Sequence, residues 1–124
     1  RLISQAVDRM ASELNARGNQ HIAKAIRIME RDYHRDISLH SVAEELSMNP
    51  AYLSRLFKRI TGQSFVDYLK RIRIEKSKEL LLNSELKINE VGKRVGYEHS
   101  YYFIKVFKET IGLTPGEYKK LYGS

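Results

Sequence analysis

The sequence predicts an all-α fold, with two helix-turn-helix subdomains joined by a long linker helix, about seven helices, and an N-terminal connector helix before them. Three observations carry this. Apolar residues recur at helical spacing in every periodic stretch. No stretch alternates apolar with polar residues for more than about four positions. A block of paired short helices occurs twice.

The elements follow in order. In residues 2–16, Leu2, Ile3, Ala6, Val7, Met10 and Leu14 form one stripe, and Gly18-Asn19 offers a left-handed stop, so 1–18 read as a connector from an upstream domain. Residues 19–33 set Ile22, Ala25, Ile26, Met29 and Tyr33 opposite Lys24, Arg27 and Arg31, as in a helix lying on a core. Two short helices over 39–46 and 50–60 have only Ser47-Met48-Asn49 between them. Asn49 is a good N-cap, and Pro50 sits at the first helical position, where its missing N–H leaves no bond unmade. Two helices joined so tightly form a helix-turn-helix, the centre of a first subdomain over 19–63.

After Gly62, the box Ser64-Phe65-Val66-Asp67 announces a helix over 65–82, about 27 Å long at roughly 1.5 Å per residue. Phe65, Leu69 and Ile72 form one stripe; Ile74 and Leu81, with small Ser77 between, form another nearly opposite. A helix that buries different faces in its two halves suits a linker, assigned to 64–83. The second subdomain, 84–124, repeats the pattern with a helix over 88–95, a turn through Gly96-Tyr97-Glu98, a helix over 99–111 and the break at Gly112. A last helix starts at Pro115, capped by Thr114 with Glu117 three residues on.

Composition narrows the function. With 2 Pro, 7 Gly, 42% apolar residues and no apolar run near the roughly 18 a membrane helix needs, the chain is neither low-complexity nor membrane-spanning. The absence of Cys excludes disulfides, thiol catalysis and thiolate metal sites, and fits a cytoplasmic location. Arg1 in place of Met, with no leader pattern after it, implies a piece of a longer chain. The net charge of +7 suits a polyanion such as nucleic acid, although a solubilising surface gives the same number. It does not come from a tail: residues 1–62 hold 10 basic and 7 acidic side chains, and residues 63–124 hold 12 and 8.

Self-similarity sharpens the reading. At an offset of 50, Tyr52, Phe57, Lys58, Gly62, Tyr68 and Lys70 meet Tyr102, Phe107, Lys108, Gly112, Tyr118 and Lys120. Chance would give about one such identity over this stretch. Upstream the offset is 49, pairing Leu39, Val42, Ala43 and Leu46 with Ile88, Val91, Gly92 and Val95, so the second turn is one residue longer. In the first copy Tyr52, Leu53, Leu56, Phe57 and Ile60 make the core side of the second helix, leaving Ala51, Ser54, Arg55 and Lys58 outward. In the second, Phe103, Val106 and Phe107 are core, leaving Tyr101, Ile104, Lys105 and Lys108. Each outward stripe is small or hydrogen-bonding near its start and cationic further on. Such a helix can enter a major groove about 12 Å wide, reading base edges with its first turns and engaging phosphate with its cations.

The stretches Asn49-Pro50-Ala51-Tyr52-Leu53-Ser54-Arg55-Leu56-Phe57-Lys58 and Gly96-Tyr97-Glu98-His99-Ser100-Tyr101-Tyr102-Phe103-Ile104-Lys105-Val106-Phe107-Lys108 resemble the C-terminal DNA-binding region of the AraC/XylS family of bacterial transcription regulators. Gly112-Leu113-Thr114-Pro115-Gly116-Glu117-Tyr118 is similar to that family's closing signature, and the linker over 69–76 looks most like members that follow a response-regulator receiver. The resemblance implies two recognition helices in successive major grooves of double-stranded DNA, about 34 Å apart, with no cofactor. It also implies an upstream sensor or receiver domain, with RNA polymerase and a second copy, paired through the missing region, as further candidate partners. Carried over by motif position, the base-reading residues are Ala51, Ser54 and Arg55 in the first unit and Ser100, Tyr101, Ile104 and Lys105 in the second. Asn49, Lys58, Arg59, Lys108 and Thr114 are the phosphate candidates, Asn49 and Thr114 having a capping role besides.

Three departures from the family pattern stand out. Ile104-Lys105 replaces a common Ser-Arg, losing a bidentate guanine reader and gaining a group suited to a thymine methyl. His99-Ser100 stands where a better cap pair is usual, leaving Glu98, His99 or Ser100 to start the helix. Gly92 replaces the usual Ala at up to about 1 kcal/mol in helix propensity unless packing requires it, which predicts a less stable second unit. Five cations over 70–78 against Glu75 alone suit either phosphate contact or a solvated face.

Rival readings fare worse. The four His (21, 34, 40 and 99) fit no metal or catalytic motif, so an enzyme is not expected. A helical protein-interaction module with incidental charge is the alternative, and it predicts binding insensitive to Arg55 and Lys105. A membrane-surface helix over 1–16 has too little positive excess.

Overall fold

The computed structural model describes residues 2–123, with side chains from residue 5 onward. Among these residues there are seven helices and no strand: α1 (Leu2–Asp32), α2 (Leu39–Glu45), α3 (Pro50–Thr61), α4 (Phe65–Asn83), α5 (Ile88–Arg94), α6 (Ser100–Ile111) and α7 (Pro115–Tyr122). The chain divides into two compact units. One comprises the described part of Arg1–Ile28 with Ser38–Phe65; the other comprises Met29–Ile37 with the described part of Val66–Ser124.

The expected break at Gly18-Asn19 does not exist, because α1 runs through it. Gly18 is buried within the helix, where an added Cβ would stand 3.2 Å from Leu56 Cδ1 and 3.6 Å from Ile60 Cδ1. The glycine serves close packing on α3 rather than chain reversal, so the connector and the next helix are one element. Arg1, counted in the connector, lies outside the described residues, as do the side chains of Leu2 and Ile3. Further along the expected stripe, Val7, Met10 and Leu14 are exposed and contribute to no core.

The first unit buries Ile22, Ala25, Ile28, Val42, Ala43, Leu53, Leu56, Phe57 and Phe65, with Phe57 edge-on to Phe65 at 5.7 Å. Tyr52 and Ile60, expected on the core side of α3, lie at its margin at 45% and 37% exposure. The α2 N-terminus is closed reciprocally by Ser38 and Ser41: each backbone N–H donates to the other's hydroxyl, at 2.9 and 3.1 Å.

The second unit has a continuous core of Ile74, Leu81, Val91, Val95, Tyr97, Phe103, Val106 and Phe107. Tyr97, Phe103, Phe107 and Tyr118 form a chain of ring contacts at 5.6–5.9 Å between centroids. Both apolar stripes of α4 are buried, and the Ser77 hydroxyl donates to the Ile74 carbonyl at 2.6 Å, which satisfies the one polar group on the second stripe.

The repeat is visible in the backbone. Met48 N–H donates to the Ala43 carbonyl at 2.8 Å, and Tyr97 N–H to the Gly92 carbonyl at 2.8 Å, each closing its helix around a left-handed residue, Ser47 at φ 55° or Gly96 at φ 109°. These pairs keep the offset of 49. The N-caps Asn49 and His99 are 50 apart, so the additional residue falls between Tyr97 and His99, where Glu98 lies.

Candidate nucleic-acid interface

Helix α3 begins where Asn49 Oδ1 accepts the Tyr52 N–H at 3.1 Å, and ends on Gly62 in the left-handed conformation. With Leu53, Leu56 and Phe57 fully buried, the opposite face is fixed: Ala51, Ser54, Arg55, Lys58 and Arg59 are all exposed. Among the described residues none of Arg55, Lys58 and Arg59 takes part in an ion pair or side-chain hydrogen bond. Their charges are therefore available to an anion from outside.

Helix α6 repeats the face with different chemistry. Phe103, Val106 and Phe107 are buried, while Ser100, Tyr101, Ile104, Lys105 and Lys108 are exposed; Tyr101 reaches 82% exposure. A large tyrosine and an isoleucine at 37% exposure standing out beside a lysine make this face apolar with a cationic end. His99 is the N-cap, and its side chain makes no capping hydrogen bond. This resolves which of the three possible residues starts the helix, and leaves one of its first N–H groups without the partner that Asn49 supplies in α3.

Thr114 is half-buried as the cap of α7: its hydroxyl accepts the Glu117 N–H at 3.1 Å, while its own N–H donates to the Glu117 carboxylate at 2.9 Å. These bonds, with the Lys108 charge as a smaller contribution, hold the Glu117 carboxyl below its usual range. Asn49 and Thr114 thus have one hydrogen-bonding direction committed to structure.

The cations of α4 behave differently. Arg73 donates to the Tyr33 and Arg35 carbonyls at 2.8 and 2.9 Å, Lys78 pairs with Glu75 at 3.3 Å, and Lys76 lies 4.0 Å from Glu30. Three of the five basic residues over 70–78 therefore serve their own unit. The sequence treated Arg73 only as one member of a charged run; nothing local marks it, because its acceptors are main-chain carbonyls about forty residues earlier.

Next to Arg73 sits Tyr97, 5% exposed, with the Arg73 guanidinium 5.5 Å from its ring centroid. Among the described residues its buried hydroxyl has no hydrogen-bond partner, and burial pushes its pKa up to about 12 against the opposing influence of Arg73.

The fold has counterparts among known proteins. A family model described as a helix-turn-helix domain matches residues 42–121. The chain is 33% identical over 125 residues to YijO of Escherichia coli, described as an uncharacterized HTH-type transcriptional regulator, covering 99% of this chain and 44% of that protein. The C-terminal domain of AraT, a response regulator from Geobacillus stearothermophilus, superposes with a TM-score of 0.82 at 39% identity, covering 84% of this chain and 87% of that one. The C-terminal domain of the two-component response regulator yesN from Fusobacterium nucleatum gives 0.74 at 40% identity, covering 77% and 93%. The chain spans between 16% and 44% of the length of the first curated relatives it matches.

Proposed function

The chain belongs to the AraC-type helix-turn-helix family of bacterial transcription regulators, and from that premise we propose that it binds double-stranded DNA through two major-groove readers, α3 and α6. The observation that carries the reading is the pair of equivalent exposed faces, with three unpaired cations on the first. The first face offers Ala51, Ser54 and Arg55 to base edges, Arg55 being able to donate two bonds to guanine. The second offers Ser100, Tyr101, Ile104 and Lys105, weighted toward thymine methyl contact and phosphate. Lys58, Arg59 and Lys108 supply sequence-independent attraction, and Asn49 and Thr114 add phosphate contacts from the helix ends. The target is an asymmetric site of two half-elements. In the whole protein this region delivers the output of an upstream sensor or receiver domain, and contacts to RNA polymerase or to a second copy are made around it.

Selection of binding sequences from a random DNA pool, with affinity followed at two salt concentrations, tests this. The expected winner has two half-elements and an affinity that falls steeply with salt, by about 0.9 log units per phosphate neutralised per log unit of salt. Arg55→Ala should cost about 1–3 kcal/mol at one base pair, whereas Lys58→Ala weakens all sequences alike and lowers the salt slope by about one. Equal loss on random and selected DNA for Arg55→Ala, or absence of any salt-dependent binding, refutes the assignment; the latter returns the weight to a protein-interaction module.

A further inference from the structure

Arg73 joins three segments of the second unit. Its Nε donates to the Tyr33 carbonyl at 2.8 Å and a terminal nitrogen to the Arg35 carbonyl at 2.9 Å. Tyr33 directly follows the last residue of α1, where carbonyls lack helical partners and a cation is favoured, and the Arg35 carbonyl, two residues further on, also accepts the Ile37 N–H at 2.9 Å. The other side of the guanidinium faces the Tyr97 ring at 5.5 Å. Gly96 closes the arrangement: at φ 109°, an added Cβ would stand 2.9 Å from the Tyr33 carbonyl oxygen and 3.0 Å from Arg73 Nε. The turn thus lies directly on the junction, and only glycine fits there. From Tyr97 the ring contacts pass to Tyr102 at 5.7 Å and to Phe103 at 5.8 Å, both within the first turn of α6.

We propose that Arg73 is the positioning residue for the second reading helix. By holding the Gly96-Tyr97 turn against the end of α1, it sets the direction in which Ser100, Tyr101, Ile104 and Lys105 leave the core. It touches no base. The first copy has Ser47 and Met48 at the positions equivalent to Gly96 and Tyr97, with no ring to stack on, so the effect belongs to the second unit alone. Lysine cannot replace Arg73, since an ammonium lacks both the two fixed donors and the flat face. The proposal rests on the two-reader function above.

The test uses the 124-residue chain and fluorescence anisotropy on three duplexes: the selected site, the site with its first half-element scrambled, and the site with its second scrambled. In Arg73→Lys and Arg73→Met the penalty for scrambling the second half-element should shrink about tenfold, while the penalty for the first stays within about twofold of wild type. A residue that merely stabilised the fold would change the active fraction and leave both ratios intact. Should Arg73→Met fail to fold by circular dichroism, Arg73→Lys carries the test at a temperature where it is folded, with the same selective loss expected. If these variants read the second half-element as sharply as wild type, the positioning role is refuted and the two-reader function stands. If the wild-type chain itself shows no second half-element, both fall together.

Discussion

Gly92 and Phe103 make a compensating pair whose energetics can be measured. Gly92 is buried in α5, and a Cβ built on it would lie 2.8 Å from Phe103 Cδ2, 2.9 Å from Cγ and 3.1 Å from Cβ. The ring cannot easily retreat, being fully buried between Tyr97 at 5.8 Å and Phe107 at 5.9 Å. In the first copy the equivalent residues are Ala43 and Leu53, also fully buried. Volume has moved from one helix to the other: Ala facing Leu has become Gly facing Phe. For Gly92→Ala, overpacking costs about 1–3 kcal/mol, offset by up to about 1 kcal/mol of regained helix propensity. The expected net is a loss of about 1 kcal/mol. Phe103→Leu alone leaves a cavity and should cost about 1–2 kcal/mol. The double variant reproduces the packing of the first copy, so the cycle should show a favourable coupling of at least about 1 kcal/mol. Urea unfolding followed by far-ultraviolet circular dichroism, with the slope checked for constancy, measures all four corners. Additivity within about 0.5 kcal/mol, or a Gly92→Ala variant more stable than wild type, would refute the reasoning.

Other expectations follow from the same contacts. Gly18→Ala should be neutral or raise stability by about 0.5 kcal/mol in the same assay, because its Cβ would meet only the movable ends of Leu56 and Ile60, and the helix gains propensity. His99→Asp should stabilise by about 0.5–1 kcal/mol by capping α6, seen as a higher unfolding midpoint and slower amide exchange in its first turn. Tyr97→Phe removes a buried hydroxyl that has no partner among the described residues and keeps the ring beside Arg73, so unfolding should show no loss, or a gain of up to about 1 kcal/mol. Because the folded-state pKa of Tyr97 is raised from 10.0 to about 12, its contribution is complete below pH 10 and declines as the pH rises toward 12. That decline is at most about 1.4 kcal/mol per pH unit, and Tyr97→Phe should remove it from the alkaline unfolding profile.

Helix ends were legible where the chemistry is local. Asn49, Pro50, Gly62, Gly112, Thr114 and Pro115 each act on backbone groups within four residues, and the observed bounds of α3, α6 and α7 follow them. Gly18 misled for the opposite reason: the same residue type serves a left-handed cap or a close contact, and only the arrival of Leu56 decides between them. Gly92 was ambiguous until Phe103 appeared above it. The margin of the α3 core face was misjudged because tyrosine satisfies either environment; Tyr52 and Tyr102, equivalent in the repeat, are exposed to 45% and 44%. The outward faces could be read because buried Leu53, Leu56 and Phe57, and their counterparts in α6, leave one arc of each helix to water. Arg73 could not, since bonds to main-chain carbonyls leave no mark on the acceptor residues.

The two copies hold their outward helices by different means. In the first, a three-residue turn with Ser47 in the left-handed region leads to Asn49, whose side chain fixes the first turn of α3 directly. In the second, the turn is longer by one residue, Gly96 replaces Ser47, and His99 gives α6 no side-chain cap. A longer, glycine-containing turn is freer when unfolded and specifies direction less well by itself. What local chemistry omits is supplied at a distance, by Arg73 from α4, the carbonyls at the end of α1 and the Tyr97 ring. Capping makes the direction of α3 a property of its own few residues. Tertiary contact makes the direction of α6 depend on α1 and α4, so a disturbance of those helices reaches the second face through Gly96 and Tyr97 while the Asn49 cap of the first stays intact.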